Sequence, residues 1–175
     1  MTAFEAFELT TKGGGSDFAQ VIALCRVAGP YCLIGGLAVN CHVEPVYTLD
    51  ADFVVIAGDL PDLAVALQRQ GFSIETHRHS VNAQAAGSHL RIQFTTDDRY
   101  QVFPPRSEER EVLGIAVQVA CLEDIARGKL WAYTDPQRRL SKRKKDELDL
   151  IRLAEAYPHL KAMYPSELLK QLAAG

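Results

Sequence analysis

Two aspartates one residue apart, Asp50 and Asp52, are followed directly by the apolar run Phe53–Ile56. Such a run is typical of a buried strand, and side chains two residues apart on a strand leave the same face of the sheet. Aspartate is disfavoured in strands, which favours a role in binding over one in strand formation. Because Mg²⁺ prefers carboxylate oxygens, the pair predicts a metal site; the alternative is two solvent-facing aspartates without a function.

A glycine pair lies upstream of these aspartates. The segment Tyr31–Ile34 has the composition of a short buried strand, and Gly35 and Gly36 then allow the backbone to turn tightly into a helix. The free backbone amides at the start of a helix attract anions, phosphate above all. We therefore expect a phosphate-binding turn near the two carboxylates.

A glycine pair at a strand-to-helix turn, followed after a short gap by Asp-x-Asp on the next strand, resembles the nucleotidyltransferase superfamily. The resemblance is to its small prokaryotic members, including the AbiEii-type toxins of type IV toxin-antitoxin systems. It implies that Gly35, Gly36 and Thr48 bind a nucleoside triphosphate. It also implies that Asp50 and Asp52 hold Mg²⁺ or Mn²⁺ and that an antitoxin is a candidate partner.

The same resemblance places further site residues later in the chain. We predict a hairpin from residues 89–95 and 100–103, and the third metal-binding carboxylate of the family is expected on its second strand. This chain has Gln101 there, so Gln101 is the third predicted metal-site residue, with a neutral amide in place of a carboxylate.

Two lysines complete the candidate site. Lys129 lies in a predicted helix over residues 122–133, and Lys145 lies in a predicted helix from residue 142 to about residue 157. Both match the family pattern, in which lysines neutralise charge that develops on the phosphates. The candidate catalytic residues are therefore Asp50, Asp52, Lys129 and Lys145.

The order of strand and helix patterns, together with the resemblance, predicts an α+β fold: a nucleotidyltransferase-like mixed sheet flanked by helices. Residues 1–134 would form the core, and residues 135–175 a C-terminal helical extension packed on it. We expect Gly13–Gly15 to be a flexible lead-in and residues 78–88 to be a polar loop.

Composition narrows the class of protein. The chain has 175 residues, of which 47% are hydrophobic, and this is ample for a packed core. Its net charge of -3 argues against a general nucleic-acid coat protein. The sequence has neither the apolar stretch of a membrane span nor the basic start of a signal peptide, so we expect a cytoplasmic protein without membrane contact.

A basic run leaves two interpretations open. Six of the eight residues from Arg138 to Lys145 are Arg or Lys. They could grip a triphosphate or an RNA backbone, or they could form a solvated helix start.

Two functions follow from the sequence. The first is a Mg²⁺-dependent enzyme that moves a nucleoside monophosphate from an NTP to an acceptor hydroxyl on RNA, protein or a small molecule. The second, favoured by the missing third carboxylate, is a catalytically weakened member of the same fold that binds nucleotide, RNA or a partner protein.

Overall fold

A computed structural model describes residues 1–174, which form one seven-stranded mixed sheet with helices around it. Gly175, the last residue of the predicted C-terminal extension, lies outside the described residues. The strands are β1 (Tyr31–Ile34), β2 (Asp50–Val55), β3 (Phe72–Thr76), β4 (Ser80–Ala85), β5 (Arg91–Thr95), β6 (Glu108–Val112) and β7 (Ile115–Val119). Their order across the sheet is β3-β4-β5-β2-β1-β7-β6.

In the described part of the chain, seven α-helices surround this sheet: α1 (Ala3–Thr11), α2 (Gly14–Ala28), α3 (Gly35–Val39), α4 (Leu60–Arg69), α5 (Leu122–Thr134), α6 (Leu140–Ala156) and α7 (Ser166–Ala174). Shorter 3₁₀ turns cover 98–100, 104–106 and 158–163. Among residues 1–174, no helix combines the length and the hydrophobicity needed to cross a membrane.

Strand β2 is central and decides where the two aspartates point. It pairs antiparallel with β1 on one side and parallel with β5 on the other. Its buried residue Phe53 stacks on Phe18 of α2 and Phe94 of β5, with ring centroids 6.0 and 5.6 Å apart. Because side chains alternate along a strand, this packing turns Asp50 and Asp52 to the opposite face.

The predicted flexible lead-in is wrong. Residues Ala3–Thr11 form α1, which begins with a capping box: the Thr2 hydroxyl accepts from the Glu5 amide, and the Glu5 carboxylate accepts from the Thr2 amide. Gly14 then starts α2 and is buried against α1, where a Cβ would overlap the Thr11 side chain. The glycines therefore let two helices approach closely instead of forming a linker.

The predicted hairpin is also wrong. The antiparallel partner of β5 is β4, which lies inside the segment expected to be a polar loop. Residues 98–100 form a 3₁₀ turn in place of a second strand. The Asp97 carboxylate caps the start of this turn and accepts from the Arg99 amide. Phe103 is buried beside Trp131 of α5, with ring centroids 5.8 Å apart, so this segment packs against a helix and adds no strand to the sheet.

The C-terminal helices pack on the same core as the sheet. Leu150 and Leu153 of α6 and Leu168 of α7 are buried and join the hydrophobic cluster formed by the strands. The hydroxyl of Tyr164 donates to the Leu150 carbonyl over 2.8 Å and fixes the turn between the two helices. The mixed sheet flanked by helices confirms the predicted fold class, whereas the proposed division at residue 134 stays a prediction.

Candidate active site

Asp50 and Asp52 lie at one edge of a cleft of about 240 Å³. The sheet contributes its floor, α5 and the start of α6 contribute its walls, and the Gly35 turn closes one end. The polar and charged side chains that line it include Asp50, Asp52, Gln93, Lys129, Arg138 and Lys142. The structure therefore brings both predicted aspartates, one predicted lysine and the glycine turn together.

Asp50 is held by two cations. Its Oδ1 accepts from Arg91 Nε over 2.6 Å, and its Oδ2 accepts from Lys142 Nζ over 2.9 Å. Burial alone would raise the pKa of Asp50, but the hydrogen bonds from Lys142 and Arg91 outweigh it and lower the pKa below the ordinary carboxyl value. Asp50 is therefore an anion whose present partners are side chains from two different elements.

Asp52 is in a different state. Within residues 1–174 its carboxylate has no ion pair or side-chain hydrogen bond. Burial, together with the negative charge of Asp50, raises the pKa of Asp52 despite opposing charges such as Lys129. The ionised carboxylate of Asp52 would therefore be stabilised by a cation that enters the cleft.

The Gly35 turn is shaped around Asp52. Gly35 has φ +71°, and a Cβ there would overlap Asp52 Oδ2. Only glycine meets both conditions, so the sequence signal at Gly35 reflects close approach to the carboxylate as well as turn geometry. Gly36 follows in the first turn of α3, where backbone amides have no helical partner.

Thr48 does not line the cleft but positions Asp50. Its hydroxyl accepts from the Asp50 amide over 3.2 Å. The ammonium of Lys145 lies 3.4 Å from the same hydroxyl. The structure thus places Lys145 beside the start of β2, whereas Lys129 lines the cleft itself. The predicted roles of Thr48 in nucleotide binding and of Lys145 in catalysis stay predictions.

Lys129 belongs to a buried ion cluster between α5 and α6. Its Nζ lies 3.1 Å from Asp146 Oδ1 and 2.7 Å from Asp149 Oδ2. Burial lowers the pKa of Lys129, but Asp149 and Asp146 outweigh it, and the pKa stays above its ordinary value. Arg138 and Arg152 give these carboxylates second partners over 2.7 and 2.9 Å. Lys129 is therefore a fixed positive charge at the cleft wall.

Gln101 is not near the aspartates, contrary to the prediction. Its Oε1 accepts from the Ala57 amide over 2.9 Å and its Nε2 donates to the Val55 carbonyl over 3.1 Å. These bonds hold it at the carboxyl end of β2, whereas Asp50 begins that strand. The error follows from the wrong hairpin, because β2 lies between β1 and β5 and the segment that holds Gln101 forms no strand beside it.

The residue that neighbours Asp52 on β5 is Gln93, and sequence reasoning missed it. It also missed Lys142, which bonds Asp50, and Arg91, which is paired with Asp50 across the two strands. The alternation of Arg91, Gln93 and Thr95 with buried Ile92 and Phe94 was a usable signal for Gln93. Lys142 was visible only as one cation of the basic run.

The donor set suits a hard divalent cation. Asp50 and Asp52 offer carboxylate oxygens on one face, and Mg²⁺ commonly binds one or two carboxylates together with substrate phosphates. Within residues 1–174 no cluster of three or more acidic, histidine or cysteine side chains has metal-binding geometry. Asp50 and Asp52 could hold Mg²⁺ or Mn²⁺ if phosphate oxygens and water completed the coordination.

Solved structures with the same fold cover nearly the whole chain. The crystal structure of ANT(2'')-Ia in complex with adenylyl-2''-tobramycin has a TM-score of 0.58 at 14% identity, over 91% of this chain and 94% of that chain. The solution structure of the antibiotic-resistance factor ANT(2'')-Ia has a TM-score of 0.52 at 16% identity, over 91% and 90%. No family model and no curated protein matches the sequence. The chain therefore has a nucleotidyltransferase-like fold, as its motifs predicted.

Proposed function

We propose that this protein is a Mg²⁺-dependent nucleotidyltransferase that moves a nucleoside monophosphate from an NTP to an acceptor hydroxyl. One observation carries the proposal: Asp50 and Asp52 share one face at the head of β2, beside the Gly35 turn, in a cleft walled by Lys129 and Lys142. Carboxylates for a metal and cations for phosphate thus meet in one cavity.

The reaction needs little covalent chemistry from the protein. The acceptor oxygen forms a bond to the α-phosphorus, the bond from that phosphorus to the bridging oxygen breaks, and pyrophosphate leaves while the hydroxyl proton passes to water. A bound Mg²⁺ or Mn²⁺ at Asp50 and Asp52 would supply neutralising charge. Gly35 and Gly36 would offer backbone amides to the phosphates.

The ion pairs of Lys142 and Lys129 indicate different roles in this reaction. Lys142 is one-third exposed and bonds a carboxylate that the metal would also use, so it is free to move to a phosphate oxygen. Lys129 is locked between two carboxylates and contributes positive potential from the wall. For Lys145 we keep the predicted role in charge neutralisation as part of the proposal.

The basic run favours a small acceptor over an RNA backbone. Outside Lys142, which the triphosphate would engage, Arg138 and Lys144 are each paired with a carboxylate over 2.7 Å. Binding RNA phosphates through them would require these ion pairs to break. The adenylyl-2''-tobramycin bound to ANT(2'')-Ia is likewise an adenylylated small molecule.

A second candidate function has its own support. Gln93, a neutral amide, neighbours Asp52 on the strand where a third carboxylate would serve as metal ligand and base. A protein with this site could bind NTP and metal without efficient transfer. In this case the fold would serve as a binding module for nucleotide, RNA or a protein.

The two functions are separated by measuring both binding and transfer. The protein is incubated with each α-labelled NTP and Mg²⁺ or Mn²⁺, with and without hydroxylated acceptors, and both transfer of the label to the acceptor and release of pyrophosphate are followed. A rise in melting temperature with MgNTP but no pyrophosphate release would favour the binding module. The absence of both the melting-temperature rise and pyrophosphate release would refute the proposed function.

Gln93→Asp sharpens this test. Restoring a carboxylate should tighten Mg²⁺ binding and increase transfer by about a hundredfold if a general base limits the rate. Gln101→Asp is the matched control, because Gln101 bonds the far end of β2 and should leave transfer unchanged. Equal responses of the two variants would mean that Gln93 does not face the reacting groups.

Finer assignments remain hypotheses within this proposal. Membership of the AbiEii-type toxins, with an antitoxin partner and action in the cytoplasm, rests on the motif resemblance. Induced expression in a bacterium tests it: growth arrest that disappears in Asp52→Asn would support a toxin, and normal growth with soluble, active protein would refute it.

A further inference from the structure

A row of polar side chains leads from the two aspartates across the open face of the sheet. Asp52 lies beside Gln93, Gln93 beside Asn82, and Asn82 beside Glu75. Residues directly opposite each other in a sheet point to the same face, and strands lie about 4.8 Å apart, so the row extends roughly 14 Å. It begins at the proposed metal site and ends at edge strand β3.

The row forms the floor of a groove of about 360 Å³ that shares Asp50, Asp52, Gln93 and Lys142 with the cleft. The apolar residues of the same strands, such as Ile92 and Ala83, are buried on the opposite face. The groove is therefore a polar continuation of the candidate active site, with the size of a small-molecule site.

One buried atom distinguishes this groove from an ordinary solvent-exposed face of a sheet. The Oδ1 of Asn82 is shut off from solvent and has no hydrogen-bond partner within residues 1–174. Buried polar atoms normally have a partner, because leaving one unpaired costs free energy. A small rotation of the Asn82 amide into the groove, met by a donor from a bound molecule, would satisfy it.

The charges of the groove select the kind of molecule. Of its two cations, Arg91 is paired with Asp50, and Lys142 is the one that the proposed function directs to the triphosphate. At the far end stands the carboxylate of Glu75, whose neighbour His77 lies 3.5 Å away. Amides on the floor and a carboxylate at the end favour hydroxyl groups and disfavour anions.

We propose that this groove is the acceptor site, and that it takes a hydroxyl-rich small molecule without negative charge, such as a short saccharide, read by Asn82 and Glu75. The inference rests on the proposed function, since it places the reacting hydroxyl of that molecule beside Asp50 and Asp52. Asn82 donates and accepts hydrogen bonds along the molecule, and Glu75 rejects acidic versions of it.

The test uses cellobiose, its acidic counterpart cellobiouronic acid and a ten-nucleotide RNA as probes. Binding to the ¹⁵N-labelled full chain is followed by NMR. Cellobiose should shift the side-chain NH₂ signals of Asn82 and Gln93 and the amides of β4 and β5, and cellobiouronic acid should bind about threefold more weakly. Asn82→Leu should weaken cellobiose binding about three- to tenfold.

Glu75→Gln should remove the preference for cellobiose over the acid, whereas Glu109→Gln should preserve it. Glu109 is the matched control because it is an exposed carboxylate on β6, the other edge strand of the sheet. Absence of shifts in β4 and β5 with cellobiose, or RNA shifting these signals instead, would overturn the proposal. Variants are compared only when their melting temperatures show that they are folded.

A MgATP titration on the same samples tells the two proposals apart. Shifts at Gly35 and Asp52 without any cellobiose effect would overturn the groove and leave the proposed function intact. Cellobiose shifts without a MgATP response would support a saccharide site and refute the nucleotidyltransferase role. Both responses, with faster pyrophosphate release when cellobiose is present, would support both.

Discussion

Two clusters of charged side chains lie on the walls of the same cleft and have opposite characters. The buried cluster consists of Lys129, Asp146 and Asp149. Arg138 and Arg152 also pair with these carboxylates, so each carboxylate has two cationic partners. The cleft cluster consists of Asp50, Asp52, Arg91 and Lys142. There one carboxylate has two partly exposed partners, and the other has none within residues 1–174.

This difference separates structural charge from exchangeable charge. Breaking a buried pair leaves an uncompensated charge away from water, so the buried cluster fixes α6 against α5. In the cleft cluster, solvent and ligands can replace each partner, and Asp52 is left to be stabilised by an incoming cation. We infer that the first cluster holds the wall in place while the second binds what enters the cleft.

Lys129→Met breaks the buried cluster and should have the largest effect. Asp146 and Asp149 would keep only their arginine partners at the edge of the cluster, so the free energy of unfolding should fall by about 3–5 kcal/mol. Urea unfolding measures it. Lys144→Met is the control, because the Lys144 ammonium is exposed and pairs with Glu147 on its own helix. A loss of activity in Lys129→Met at unchanged stability would mean that Lys129 acts on substrate directly.

Asp52→Asn tests the cleft cluster without breaking any ion pair. Because Asp52 would hold the metal, NMP transfer should fall at least about a hundredfold. The melting temperature should stay the same or rise, since burial and Asp50 disfavour the charge that the substitution removes. Glu111→Gln, an exposed change on β6, is the control. A clear fall in melting temperature would show that the Asp52 charge has a structural partner.

The two aspartates should also respond oppositely to pH. Asp52 has a raised pKa, so its contribution to stability falls as pH rises from the ordinary value of 3.8 through the raised one. Asp50 has a lowered pKa, so its contribution is present above 3.8 and is lost as pH falls through the lowered value. Unfolding curves of wild type, Asp50→Asn and Asp52→Asn against pH measure both, and slopes of the same sign would contradict this assignment.

The sequence predicted the placement of those candidate residues that lie in continuous stretches. Asp50, Asp52 and Gly35 lie together as expected, because a strand and a tight turn have local signals that tertiary contacts did not override. The prediction that Gln101 belongs to the metal site was wrong because the hairpin was assigned from chain order. In the structure, β5 pairs with β4 on one side and with β2 on the other. Strand pairing depends on packing between distant segments, which period and propensity do not encode.

Two further features, helix α1 and the pairing of Lys142 with Asp50, were not predicted, for different reasons. The capping box of Thr2 and Glu5 was readable in the sequence and would have predicted α1. The partner of Lys142 was not readable, because Asp50 lies far from it along the chain. Among the six cations of the basic run, it is the packing of α6 that makes Lys142 the partner of Asp50.

Lys142→Gln should have the smallest effect on stability and so gives the sharpest comparison with Lys129→Met. The pair with Asp50 has side-chain exposures of 35% and 20%, and exposed pairs typically contribute about 0–1 kcal/mol. Arg91 also remains on Asp50 after the substitution. The free energy of unfolding should therefore fall by less than about 1 kcal/mol, and added salt should reduce the difference further. The affinity for MgATP should fall, because Lys142 is the cation free to reach a phosphate.

The control for loss of a positive charge is Arg26→Gln, because the Arg26 guanidinium bonds the Ala116 carbonyl away from the cleft. If Lys142→Gln destabilised the protein as much as Lys129→Met, the cleft cluster would be structural as well, and the distinction between the two clusters would fail.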